Sequence, residues 1–194
     1  MLKTVTYEQV LDMHPCWLDT PTGCRRLKRY ADRLGGKATA LDILRLNRIP
    51  ADDRLWIVLR DEVTPVQVLH EFACRCAERA LARIDHPDPR SVAAIKAKRQ
   101  WLDGLITSDE LDAAWRASLD VATSTCYADL LFAATSATTA AGRDARVIAE
   151  NTAICGGKAA AWAKVAAWDK RDVIYAAERK AQIDMLIEML LEEL

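Results

Sequence analysis

Apolar positions recur along most of this chain with a helical period rather than a strand period. The clearest stretch begins at Val66, where Leu69, Ala73, Cys76, Ala77, Ala80 and Ile84 share one arc roughly 100° wide at about 100° per residue. Phe72 and Leu81 widen that arc, so this helix is expected to lie at the centre of the fold. Thr64-Pro65-Val66-Gln67 reads as its start, with a threonine cap, proline at the first helical position and glutamine at the capping-box position. It ends before Asp85-His86-Pro87-Asp88-Pro89, whose last two residues cap a following helix that runs to Asp103-Gly104. Thr107-x-x-Glu110 opens a third, long helix in the same manner.

The first third of the chain predicts shorter helices. Thr6-x-x-Gln9 caps one through Asp12, and another runs from Pro21 or Thr22 to Leu34 and stops at Gly35-Gly36. Thr39 caps a third through Leu46, and a fourth follows Pro50 with Asp52 and Asp53 in its first turn, where negative charge suits the helix dipole. The run Leu55-Trp56-Ile57-Val58-Leu59 fits a helix or a buried strand equally by period; helix is preferred because no partner strand is evident.

Beyond Asp109 the breakers thin out to Gly142 and Gly156-Gly157, where long helices are expected to be interrupted. Alanines at 159–161, 163, 166 and 167 favour close helix packing. The last helix, from Asp169 or Asp172, places Ile174, Ala177, Ala181, Ile183, Leu186, Ile187, Leu190 and Leu194 on one face, with Met185 and Met189 beside that stripe as further core. The expected fold is all-α: a single domain over 1–194, built as a multi-helix bundle with short N-terminal helices, a central helical pair and long Ala-rich C-terminal helices. A subdivision into 1–104 and 105–194 is compatible with the pattern.

Composition sharpens this picture. Of 194 residues 33 are alanine, 22 of them after Asp109, while two phenylalanines, seven glycines and six prolines leave little material for sandwiches or barrels. A net charge of −1 conceals an asymmetry: residues 1–100 carry 18 basic and 13 acidic side chains, and residues 101–194 carry 9 and 15. No apolar run of signal-peptide length follows Met1, and Val121 to Gly142 carries Asp129 with several Ser and Thr, which suits a soluble helix better than a membrane span. Cysteines 16, 24, 74, 76, 126 and 155 then read as reduced thiols, and a cytoplasmic location is expected.

The segment Leu69-His70-Glu71-Phe72-Ala73-Cys74-Arg75-Cys76-Ala77-Glu78-Arg79-Ala80-Leu81, then Asp88-Pro89-Arg90, then Ala94-Ile95 through Arg99-Gln100-Trp101 to Gly104, resembles a family of immunity proteins of bacterial polymorphic-toxin systems that also occurs in bacteriophages. Upstream, Gly23-Cys24-Arg25-Arg26-Leu27 to Gly35-Gly36 and Arg54-Leu55-Trp56 are similar to that family's cysteine helix and Trp-containing helix. The resemblance spans about residues 16–118. It implies an all-helical fold and a protein that binds and blocks another protein; Thr135 to Thr139 departs from the family pattern.

Candidate chemistry is sparse. Cys74-x-Cys76 cannot chelate one ion from a helix, since the two side chains lie about 200° apart. His70 and Cys74 share a face and would need Cys16 or Cys24 to complete a zinc site; packed thiols and a hydrogen-bonded histidine are the preferred reading, and neither metal nor cofactor is expected. Arg99 lies between Val92, Ile95 and Leu102, so burial against a carboxylate is expected, with Glu78 as partner and Asp88 as second choice. Arg25, Arg26, Lys28, Arg29 and Arg33 form a basic helical face around Tyr30. It reads first as a solvated face, then as a surface for a protein partner, with nucleic acid as the alternative. Asp109, Glu110 and Asp112, with Asp120 and Asp129, are acidic candidates for a basic partner.

No nucleophile, phosphate loop or metal-protease motif appears, and His14, His70 and His86 stand in unrelated contexts. The expectation is a non-enzymatic binding protein, immunity-like or a phage anti-defence inhibitor, that occludes a toxin or defence-system partner. No membrane contact is expected, and self-association is left open.

Overall fold

A computed structural model describes residues 2–14, 21–124, 128–140, 142–162 and 170–194, with only the helical backbone given for 128–131. The described chain is an all-α multi-helix bundle with one two-stranded addition. Strand β1 (Thr4–Thr6) leads into α1 (Tyr7–Asp12), followed by α2 (Pro21–Arg33), β2 (Lys37–Thr39), α3 (Ala40–Leu44) and α4 (Ala51–Val58). The larger helices are α5 (Val66–Leu81), α6 (Pro89–Leu102), α7 (Ser108–Ser124), α8 (Ala128–Ala140), α9 (Ala145–Trp162) and α10 (Arg171–Glu192).

Local chemistry explains most of these boundaries. Thr6 and Thr39 each accept from the backbone N–H three residues on, while Gln9 and Asp42 reach back to the cap N–H, closing two capping boxes. Each threonine is also the last residue of a strand. The antiparallel pair sets Thr4 opposite Thr39, Val5 opposite Ala38 and Thr6 opposite Lys37. The sequence pattern had shown no such pair, because three residues per strand are too few to display a period. The 55–59 run is helical through Val58, as expected. Helix α2 ends where Gly35 and Gly36 take φ of 70° and 83° and the Gly36 N–H returns to the Ala31 carbonyl at 2.8 Å.

Two boundary readings need correction. Thr64 does not cap α5. Its buried hydroxyl donates to the Val58 carbonyl at 2.6 Å, tying the α4–α5 connection, and Pro65 takes the cap position without a side-chain bond. Gly156-Gly157 does not interrupt a helix either; both glycines lie inside α9. A Cβ on Gly157 would stand 2.8 Å from the Tyr175 ring, and one on Gly156 would stand 3.4 Å from the Cys76 carbonyl oxygen. The pair therefore lets α5 and α10 approach α9 closely. Gly142, by contrast, does separate α8 from α9.

Helix α5 packs against α6, α8, α9 and α10, which makes it the centre of the bundle. One core cluster joins the N-terminal helices to α5, α9 and α10 through Leu44, Leu55, Leu69, Phe72 and Leu186. A second, largely alanine, lies among α5, α6, α8 and α9. Met189 is buried in the first cluster and Met185 packs at its edge. The expected α10 stripe is shifted: Ala177 and Leu194 are exposed, while Glu178, Arg179 and Gln182 are buried. Residues 163, 166, 167 and 169, named above for packing or helix start, lie outside the described residues.

Candidate functional site

Helix α2 turns Leu27 into the core and leaves its arginines in solvent, as its amphipathic spacing dictates. Arg26, Arg29 and Arg33 recur at i, i+3 and i+7, so they form one row about 10 Å long. That row is one wall of a cavity of about 580 Å³; Arg48, Ile49, Pro50 and Asp53 form the other wall. Leu27 and Tyr30 contribute to its floor. Arg25 is not among the lining residues and donates to the Thr22 hydroxyl at 3.3 Å.

Among the described residues the four lining arginines, Arg26, Arg29, Arg33 and Arg48, hold no carboxylate, like Arg45, Arg60, Arg116 and Arg146. Arg75, Arg79, Arg83, Arg99 and Arg179 each hold one. Asp53 is the one acidic lining residue among the described residues. Burial, reinforced by neighbouring Asp52, raises its carboxyl above the usual carboxylate range. Asp52 itself points to α10, accepting from Arg179 Nε at 2.5 Å and from the Tyr175 hydroxyl at 3.2 Å.

The acidic candidates do not join this groove. Glu110 accepts from the Thr107 N–H at 2.8 Å and closes a capping box at the start of α7, and Asp112 pairs with Arg143 at 3.1 Å. Asp109 is exposed beside them. The Asp129 side chain lies outside the described residues.

Arg99 reaches Glu78 through two nitrogens at 3.0–3.2 Å and also donates to Glu71, which takes Arg75 on its other side. The expected burial is absent. Arg99 is 36% and Glu78 49% exposed, and Val92, taken as apolar-face neighbour, is itself 48% exposed. The helical arc had been centred too far toward Val92; Ala94, Ile95 and Lys98 mark the buried side. Asp88 pairs with Arg90 instead.

Sequence reasoning missed two buried polar groups of structural weight. Glu178, only 4% exposed, accepts two bonds from Arg79 at 2.9 Å and another from Arg83, joining α10 to α5. Lys98 is fully buried, donates to the Gly142 carbonyl at 2.6 Å and lies over the Trp101 ring. Burial brings its ammonium down to about 8. His70 stands edge-on to Trp101, its Nδ1 is buried without a partner, and burial lowers it to about 4, with Lys98 adding to the shift. The expected hydrogen bond is thus missing at Nδ1 among the described residues. Cys74 and Cys76 are packed thiols, and burial pushes Cys74 up to about 12.

Among the described residues no three His, Cys, Asp or Glu side chains assemble as a metal-ligand set, and Cys16 and Cys126 lie outside them. No described helix is long and apolar enough to cross a membrane. No family model, no curated protein and no solved structure matches this chain.

Proposed function

We propose that this chain is a non-enzymatic binding module that seats an acidic segment of a protein partner in the α2 groove and blocks that partner by occlusion. The single observation that carries the reading is the α2 arginine row, which makes no ion pair among the described residues and faces Arg48 across a concave cavity. Guanidinium groups present planar donor pairs that match carboxylates, and four of them left free in one cavity form a site of anion recognition. The resemblance to immunity proteins agrees with a blocking role and supplies the toxin or defence-system partner class. Within this reading the partner contacts are Arg26, Arg29, Arg33 and Arg48, with Arg25 and the Asp109 region outside the contact.

The competing reading is nucleic acid on the same row, favoured by the mixture of arginine with Tyr30. Four phosphate contacts give a salt slope of about −3 to −4. The test is paired affinity capture from native lysate with the wild-type chain and with Arg29→Glu/Arg33→Glu. A stoichiometric acidic protein held by the wild type and released by the variant supports the proposal. Capture unchanged by the variant overturns it, and co-purifying nuclease-sensitive nucleic acid favours the alternative.

A further inference from the structure

The two walls of the groove differ in charge, one wholly basic and the other mixed, and that asymmetry bears on what can lie in it. The α2 wall offers three guanidinium groups over about 10 Å, and the α4 side offers Arg48 together with one carboxylate, Asp53. Between them the surface is apolar, from Leu27, Tyr30, Ile49 and Pro50. A nucleic-acid strand presents a negative charge at every nucleotide and only acceptor oxygens along its backbone. Laid in this groove, it would pair with the arginines but set phosphates against Asp53, which also accepts and does not donate. Its bases could stack on Tyr30 but would give Leu27, Ile49 and Pro50 no aliphatic partners. A peptide differs on each count: its carboxylates can be spaced to meet the arginines, its apolar side chains can cover the floor, and its backbone N–H groups can donate to Asp53.

We infer that Asp53 is the specificity-determining residue of the groove, admitting an acidic segment that carries apolar anchors and turning away an unbroken run of phosphates. The inference rests on the groove being the anion-binding site proposed above. The charged and titratable groups that line the groove with Asp53 are Arg26, Arg29, Arg33 and Tyr30 from α2 and Arg48 from the preceding loop, while Asp52 of its own helix is the charged neighbour that shifts it. Asp52 is in turn engaged by Tyr175 and Arg179 of α10. Because burial and Asp52 favour the protonated Asp53 carboxyl, acidification neutralises Asp53 before most surface carboxylates titrate.

The experiment is fluorescence anisotropy on the full chain with two labelled probes of equal length, a peptide of alternating Glu and Leu pairs and an oligothymidylate. The proteins are wild type, Asp53→Asn and Arg29→Glu, each checked by circular dichroism. The wild type is expected to bind the peptide about tenfold more tightly than the oligothymidylate, a difference of ~1.4 kcal/mol. Asp53→Asn is expected to raise oligothymidylate affinity by about tenfold and so to close the gap between the two probes. Acidification should strengthen oligothymidylate binding in the wild type and leave Asp53→Asn flat. An oligothymidylate affinity equal to the peptide's in the wild type, or unmoved by Asp53→Asn, overturns the inference. Loss of binding in Arg29→Glu would show in that case that the groove reading stands without it. Absence of binding by both probes, or binding indifferent to Arg29→Glu, removes the groove reading and this inference together.

Discussion

His70 and Lys98 are buried side chains whose surroundings oppose their ionisation. Both are buried beside Trp101, and in both burial disfavours the charged form. For His70 the folded value of about 4 lies below the unfolded value of 6.5, so the unfolded chain takes up the proton first as pH falls. Its contribution is fully present above pH 6.5 and is lost between 6.5 and about 4, amounting to at most about 3 kcal/mol. Thermal melts across that window should fall steeply for the wild type and less steeply for His70→Gln; parallel curves would mean that His70 is solvated. Arg99 behaves differently because it is more than a third exposed. Solvent screening limits Arg99→Ala to about 1 kcal/mol, or a drop of about 2–4 °C in melting temperature. A loss beyond about 8 °C would contradict the half-exposed geometry. Glu78 was legible as the Arg99 partner because both lie on predicted helices with known phase. The exposure of the pair was not, since phase alone does not say where a neighbouring helix ends.

At the scale of elements, close approach to α9 organises the bundle. Replacing Gly157 by alanine improves helix propensity by about 1 kcal/mol, yet its Cβ would meet the Tyr175 ring at 2.8 Å. Gly157→Ala is therefore expected to destabilise by about 1–2 kcal/mol in the wild type and to stabilise in a Tyr175→Ala background. A double-mutant cycle by chemical denaturation reads the sign reversal, and additivity would show that the glycine is not held small by that ring. Glu178→Ala removes the carboxylate between Arg79 and Arg83 and is expected to cost about 2–4 kcal/mol, the partial exposure of Arg79 keeping it below the fully buried case. A loss under about 1 kcal/mol would contradict this tie between α5 and α10. Capped helix starts at Thr6, Thr39, Asp88 and Thr107 were legible because capping is local chemistry. The roles of Thr64 and Gly156-Gly157 were not, since each depends on a partner distant in sequence: a carbonyl on the preceding helix, or a ring on a later one.

For the whole molecule, the division into a basic first half and an acidic second half is partly neutralised by folding. Arg79 and Arg83 of the first half meet Glu178 of the second across the α5–α10 contact. Part of the basic excess, Arg26, Arg29, Arg33 and Arg48, lines one cavity without an ion pair among the described residues. The α2 members were visible in the sequence as one amphipathic face. Arg48 and Asp53 were not, because only the chain's return through the β2–α3 segment brings them opposite that face. Charge reversal at this site separates a functional surface from a solvated one, since exposed arginines without partners contribute little to stability. The most direct measurement is the affinity of the full chain for a short peptide of alternating Glu and Leu pairs, before and after Arg29→Glu/Arg33→Glu, with melting temperature followed in parallel. The account predicts a loss of at least about a hundredfold in affinity, or ~2.7 kcal/mol, with the melting temperature within about 2 °C of wild type. Affinity that survives the double reversal would contradict it.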